Sequence, residues 1–306
     1  MHVVRRGRRL DRRVASAWLF IGPGLVYFSV FVLYPIVATV VNSFTETVSV
    51  AGTAQMRFVG LKNYVALLTD AIYLRSVENT AIWAIVGPIL EIALATFLAL
   101  QVFHRTPLYR LFRFVWFTPV LVSGVVVGLV FRWILDNQWG VLNFALRRIG
   151  LGALALNWLG RTDTPLLIVI LVHLWNTFGY SFVMLLSALS TVKEELLDSA
   201  RIDGASRSQV NRRIIIPLLL PALSTVFLLS LLGKMRTFDI AYVLTRGGPL
   251  HATETVATYV QMRAFAWRSI DLGYPSAIAV TWFYIAIIVV GLLRRWIDRS
   301  IEGMTE

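Results

Sequence analysis

Six long apolar runs alternate with polar stretches along the chain, at residues 14–41, 77–103, 108–135, 165–189, 214–235 and 274–293. Each reaches or exceeds the roughly 20-residue helix that crosses the hydrocarbon core of a bilayer. The pattern predicts an all-α integral membrane protein with six transmembrane helices. A basic N-terminus, residues 1–13, precedes a membrane domain over 14–296, and a short tail covers 297–306. Gly87-Pro88 is expected to bend the second span, and the third carries Pro119, Gly124 and Gly128. Pro217 and Pro221 remove two backbone donors one turn apart and weaken the start of the fifth. Residues 42–75 read as a loop with short helical pieces, and 136–163 as a second polar connection.

Composition removes the soluble alternative. Of 306 residues, 57% are hydrophobic and 15% charged, whereas a soluble domain carries about a quarter charged residues. Cysteine is absent, which excludes disulfides and thiolate metal sites. The net charge of +12 would suggest nucleic acid if it were spread evenly. Instead, residues 1–13, 104–113, 191–213 and 294–306 hold 17 of the 29 Lys and Arg. This is the positive-inside bias, and it predicts that both termini are cytoplasmic and that no nucleic acid is bound. Arg5, Arg6, Arg8, Arg9, Arg12 and Arg13 then orient an uncleaved first span. That span is longer than a signal's apolar region, and no small-residue cleavage site follows it before Tyr34-Pro35.

The longest charged interval between apolar runs, Thr191 to Pro221, carries Lys193, Arg201, Arg207, Arg212 and Arg213 together with Glu194, Glu195, Asp198 and Asp203. Thr191 and Glu194 have capping-box spacing, and the early acids suit the positive end of a helix dipole. Leu196, Leu197, Ala200 and Ile202 supply apolar knobs, and Gly204 stands where a helix would stop. A short helix over 192–204 follows, lying across the cytoplasmic mouth between spans four and five. On these grounds it either docks on a polar partner or rests on lipid headgroups.

Asp198-Ser199-Ala200-Arg201-Ile202-Asp203-Gly204-Ala205, followed by Ile214 and Pro217, resembles the EAA loop of ATP-binding-cassette importer permeases. Further segments are similar to the sugar-permease branch that includes the maltose and multiple-sugar transporters. They are Gly60-Leu61-Lys62-Asn63-Tyr64, Asn79-Thr80, Phe238 to Thr245, Gly247-Gly248-Pro249 and Leu272 to Ala277. The resemblance implies that the loop is a coupling helix seated in a cleft of a separate ATPase. Its ATPase-coupling residues are then Glu194, Glu195, Asp198, Ala200, Asp203, Gly204, Ala205, Asn211 and Pro217. Ala200, Gly204 and Ala205 would allow close approach, while Asp198 and Asp203 make or orient polar contacts. The chain departs from the family pattern where Glu-Ala-Ala is Asp198-Ser199-Ala200, where Lys193 replaces a usual proline, and where Asn211 replaces a usual aromatic. The implied partners are a second, homologous permease, two ATPase subunits and an extracytoplasmic solute-binding protein, in a bacterial-type plasma membrane. The Thr-x-Gly-Gly-Pro segment resembles the first of the two permeases rather than its partner.

No G-x-x-x-x-G-K-[ST] occurs, so the phosphate cradle for ATP is missing. The chain is expected to be no enzyme and to bind no cofactor or metal, with ATP and Mg used by the partner ATPase. Glu91 lies within the second span, where a charge is costly. It reads as a buried polar link, weighed against a pathway contact or proton site. His173 reads as a hydrogen-bonded structural residue, weighed against a metal ligand or proton carrier, and Asp239 as a structural acid near Arg236. A sugar needs hydrogen-bonding side chains beside aromatic faces in an apolar cavity. Trp175, Asn176 and Tyr180 offer that mixture on span four, Phe238, Asp239 and Tyr242 beyond span five, and Glu91 completes the substrate-pathway set. Asn176 and Tyr180, four apart, would share a helical face. Two other readings stay open. One is a glycerol-phosphate-type importer; the other is an ion-coupled secondary transporter using Glu91 or His173. A membrane enzyme would need clustered catalytic groups, and the sequence offers none.

Overall fold

A computed structural model describes residues 6–50, 53–103, 109–266 and 271–305. Among them, five helices are long and apolar enough to cross a membrane: Ser16–Asn42, Ala71–Phe103, Pro165–Leu189, Arg207–Met235 and Gly273–Arg299. A sixth crossing depends on reading Arg110–Leu121 and Gly124–Ile134, bent by 97°, as one span. The expectation of one run over 108–135 is therefore corrected to two helices, α5 (Tyr109–Phe117) and α6 (Gly124–Ile134). A 3₁₀ turn over Thr118–Leu121 and two extended residues, Val122 and Ser123, separate them. Pro119 starts the break, and Asn176 stabilises it by donating to the Pro119 and Val122 carbonyls at 2.7 and 3.2 Å. Carbonyls released by a break at membrane depth need such partners.

The chain forms two compact units. One comprises residues 1–66 and 263–281, the other 67–262 and 282–306.

The first unit contains α1 (Arg6–Phe28), a π-turn over Ser29–Leu33 and α2 (Tyr34–Asn42). Residues 42–75, expected to hold only loop and helical pieces, instead include an antiparallel hairpin, β1 (Thr45–Val50) with β2 (Thr53–Phe58). The fold is thus helical with one small sheet. Short helix α3 (Lys62–Leu67) follows it. Asn63 donates to the Ser43 and Thr45 carbonyls at 2.9 and 2.8 Å, and Lys62 pairs with Glu46 at 2.6 Å. Asp271 accepts from the Thr47 and Gly273 backbone N–H groups, both at 2.9 Å. Any side chain at Gly273 would collide with the Thr45 carbonyl. The Lys62-Asn63 and Gly273 segments singled out in the sequence are therefore the clamps of this hairpin.

The second unit is built on α4 (Ala71–Phe103), α8 (Pro165–Leu189) and α11 (Ile216–Met235). Helix α4 begins six residues before the apolar run and continues through Gly87-Pro88. Ala95, Ala99, Phe182, Leu185, Leu189, Ile215 and Leu219 form one buried core, and Trp83, Val127, Val169, Ile170 and Ile240 another. Small residues on α4 let the helices approach, as packing in lipid requires. Short helices α12 (Asp239–Thr245) and α13 (Val256–Gln261) flank the Gly247-Gly248-Pro249 segment. Asn79 donates to the His251 and Glu254 carbonyls at 3.2 and 2.9 Å, and Thr80 accepts from the Val256 N–H at 3.0 Å. The Asn79-Thr80 pair thereby ties α4 to that loop. Helix α14 (Gly273–Thr305) runs on through residues expected to form a tail. In this unit it joins Met235 through the Trp282 indole N–H at 2.8 Å.

Candidate functional site

Three helices of the second unit converge on Glu91. Helix α4 carries it, α8 brings Thr177 and Ser181, and α11 brings Ser230 and Lys234. Each pair is spaced four residues apart, which puts both members on one helical face. Lys234 and Ser181 donate directly to the carboxylate. Ser230 and Thr177 donate at 3.0 and 3.3 Å. Glu91 is 2% exposed and Lys234 3%. Four donors thus compensate a charge that would otherwise be costly to bury. A Cβ on Gly87 would stand 3.1 Å from the Lys234 Cε, so glycine leaves room for the lysine stem. Glu91 links α4 to α8 and α11, with its acceptor capacity engaged inside the chain.

A cavity of about 520 Å³ opens beside this cluster. Its wall combines the hydroxyls of Thr177, Ser181, Ser230 and Thr237 with the His173 imidazole and the rings of Tyr180 and Phe238. Arg236 and Asp239 supply charge. His173 lies edge-on to Trp83, with 5.3 Å between centroids, and its Nε2 is 3.5 Å from the Thr237 hydroxyl. Among the described residues, no group of three His, Cys, Asp or Glu side chains is arranged to hold a metal ion.

The sequence-derived pathway residues divide. Tyr180, Phe238, Asp239 and Glu91 line the cavity. Tyr242 stacks on Phe238, a residue of that wall, with centroids 5.0 Å apart. Trp175 packs against Phe131 at 5.2 Å and lines a separate apolar pocket. Asn176 was expected to share a functional face with Tyr180; its amide nitrogen donates to both carbonyls of the α5–α6 break. Asp239 was expected to serve as a structural acid near Arg236. Among the described residues the two form no ion pair, and the Asp239 carboxylate lies instead over Gly124, where any Cβ would collide with it. Sequence reasoning missed Lys234, Thr177, Ser181, Ser230 and Thr237. A lysine inside an apolar run was the available signal, because it demands a counter-ion such as Glu91.

The second feature is the charged loop. Its helix, α9, covers Glu194–Ile202, starting later than the 192–204 expectation. The Thr191 capping box does not form, because that hydroxyl donates to the Ala188 carbonyl at 2.8 Å. The box stands instead at Ser206 and Gln209, opening α10 (Arg207–Val210). Gly204 ends α9 at φ +77°, its N–H on the Arg201 carbonyl and the Ala205 N–H on that of Ala200, at 3.0 and 2.9 Å. This 5→2 and 6→1 pairing satisfies the last carbonyls in a Schellman motif. Leu197 and Ala200 enter the core formed with Ala95, Leu185 and Leu189. Ala200 thus packs inward and offers no outward contact. Glu194, Glu195, Asp198, Asp203 and Gly204 are exposed, Ala205 and Asn211 half-buried. Asn211 starts a π-turn over Asn211–Ile215, and Pro217 follows within the first turn of α11. Ile202 is 85% exposed at the tip of α9. The result is a projection capped at its C-terminal end and packed on α4, α8 and α11.

Residues 91–303 match the family described as binding-protein-dependent transport system inner membrane component. The chain is 33% identical over 266 residues to the probable ABC transporter permease protein YurN of Bacillus subtilis, covering 86% of this chain and 89% of that protein. It is 29% identical to the multiple sugar-binding transport system permease protein MsmF of Streptococcus mutans, covering 93% and 96%. It is 27% identical to the sulfoquinovosyl glycerol transport system permease protein SmoG of Agrobacterium fabrum, covering 93% and 90%. The fold is similar to that of a chain from a bacterial alginate ABC transporter, crystallised with a periplasmic protein bound to alginate pentasaccharide. The TM-score is 0.84 at 18% identity, covering 97% of this chain and 99% of that one.

Proposed function

The chain belongs to the family of binding-protein-dependent transport system inner membrane components, and from that membership we propose that it is one permease subunit of an ATP-driven carbohydrate importer. Its apolar helices make it a multi-pass inner-membrane protein. It forms half of the solute path and leaves ATP hydrolysis to a separate subunit. The observation that carries the reading is the 520 Å³ cavity, where hydroxyls and two aromatic rings flank a carboxylate and a guanidinium. Sugars present both hydroxyl edges and apolar ring faces, and this wall answers each.

The remaining parts follow from that role. Both termini and α9 lie in the cytoplasm, on the side holding 17 of the 29 basic residues. A second, homologous permease completes the cavity, two ATPases sit below, and a solute-binding protein delivers solute from outside. ATP binding closes the ATPases, draws the coupling helices together and turns the cavity outward; hydrolysis resets it. A phosphorylated polyol is the second reading. It is favoured by Arg236, which lines the cavity exposed and without an ion-pair partner among the described residues.

The test is uptake by the reconstituted transporter carrying Tyr180→Ala or Phe238→Ala. Each is expected to lower solute uptake about tenfold, the order of one lost apolar or aromatic contact, while basal ATP hydrolysis persists. Unchanged uptake in both variants would remove this cavity from the path. A panel of sugars and glycerol phosphates, measured by calorimetry on the partner binding protein, separates the two solute classes.

A further inference from the structure

The connection over residues 136–163 is more highly built than a tether needs to be. Asp136 accepts from the Gln138 and Trp139 backbone N–H groups, both at 2.8 Å, and these bonds hold its carboxyl below the ordinary carboxylate range. A Cβ on Gly140 would strike the Asp136 carbonyl, so the chain turns tightly there. Helix α7 (Val141–Arg148) follows. Its Asn143, 1% exposed, donates to the Asn137 and Leu156 carbonyls at 3.3 and 3.0 Å and accepts from the Trp158 indole at 2.8 Å. The Trp158 carbonyl in turn accepts from Thr164, which immediately precedes Pro165, the first residue of span helix α8. Leu142 packs on the core beside Trp158 and Leu159. One side of α7 is thus fastened to the end of a membrane span.

The other side carries apolar groups into the open. Val141, Phe144, Ala145 and Arg148 recur at helical spacing on one face and are all exposed. Trp139, just before the N-cap, and Ile149, at the C-cap, are 87% and 68% exposed at the two ends of the helix. Arg148 lies over the Phe144 ring at 5.2 Å. Arg147 reaches the Asn137 carbonyl with one N–H at 3.5 Å, leaving the rest of its donors outward. The other arginine here, Arg161, is committed to Asp163 through bonds of 2.9 and 2.8 Å. A short apolar face with tryptophan at its edge and two arginines suits the headgroup boundary, where rings sit at the interface and guanidinium groups meet phosphate.

We propose that this face of α7, from Trp139 to Ile149, lies in the headgroup–acyl boundary of the bilayer, with Arg147 and Arg148 on lipid phosphates. The occupant is lipid because the face is tied through Asn143, Trp158 and Thr164 to the end of a span, and because its cations match anionic headgroups. It rests on α8 crossing the membrane and is independent of the solute carried.

Because the chain has no cysteine, single labels are straightforward. A nitroxide is placed at Phe144→Cys or Gln138→Cys in the assembled transporter, with partner cysteines replaced, in phosphatidylcholine–phosphatidylglycerol nanodiscs. At position 144, collisions with oxygen are expected to exceed those with a water-soluble nickel chelate several-fold, and the order to reverse at exposed position 138. Nickel access at 144 equal to that at 138 would overturn the proposal, as would exclusion of both reagents, the mark of a protein cover. Arg147→Glu with Arg148→Glu should lower the oxygen-to-nickel ratio at 144. An unchanged ratio would overturn the phosphate contact.

Discussion

Removing either member of the Glu91–Lys234 pair strands a charge that is 2–3% exposed, whereas removing both takes away the reason for the pair. Breaking a buried pair from one side costs about 3–5 kcal/mol. Glu91→Gln and Lys234→Met should each lower the melting temperature of the purified protein on the order of 10 °C. The double variant should recover most of that loss. A double variant as unstable as the sum of the singles would show that the two side chains act independently. Glu91 stood out in the sequence as a charge inside an apolar run, but its partner did not. Lys234 lies near the end of the fifth run, and only the packing of α11 on α4 brings it to the carboxylate. Asn176 shows the converse. A polar residue in a span looked like a solute contact, yet its amide satisfies the carbonyls of a chain break that residue patterns alone do not reveal.

At the scale of the element, α9 is held by its C-terminal Schellman turn and by one buried face. Gly204 sits at φ +77° with nothing within 4 Å of a hypothetical Cβ, so a side chain there is opposed by backbone strain and not by a clash inside this chain. Gly204→Asp should therefore leave the protein inserted in the membrane while abolishing solute-stimulated hydrolysis by the partner ATPase. Normal stimulation would refute a docking role for this loop. The glycine stop was readable from sequence because it depends on local conformation. The N-terminal cap was not, since the Thr191 hydroxyl turned back onto the end of α8 and Lys193 took the N-cap position without a side-chain bond. The same limit explains the third apolar run. Pro119 and the glycines marked it as bendable, but the 97° angle depends on α8 supplying Asn176 to the break.

For the whole molecule, the apolar runs located five of the long helices, because bilayer thickness is a strong and nearly context-free constraint. The small hairpin escaped notice because its strands are held by the Asn63 and Asp271 side chains, one of them more than 200 residues distant. The cavity also depends on tertiary assembly, since its wall draws on α4, α8, α11 and α12 at once. The proposed role sets this chain beside a separate ATPase, whereas a buried acid and a histidine near a cavity also suit an ion-coupled carrier. Solute uptake into proteoliposomes separates these most directly. With the second permease, the ATPase and the loaded binding protein, accumulation should require ATP, stop when any one partner is omitted, and ignore dissipation of proton and sodium gradients. Accumulation by this chain alone, driven by a proton or sodium gradient without ATP, would contradict the account.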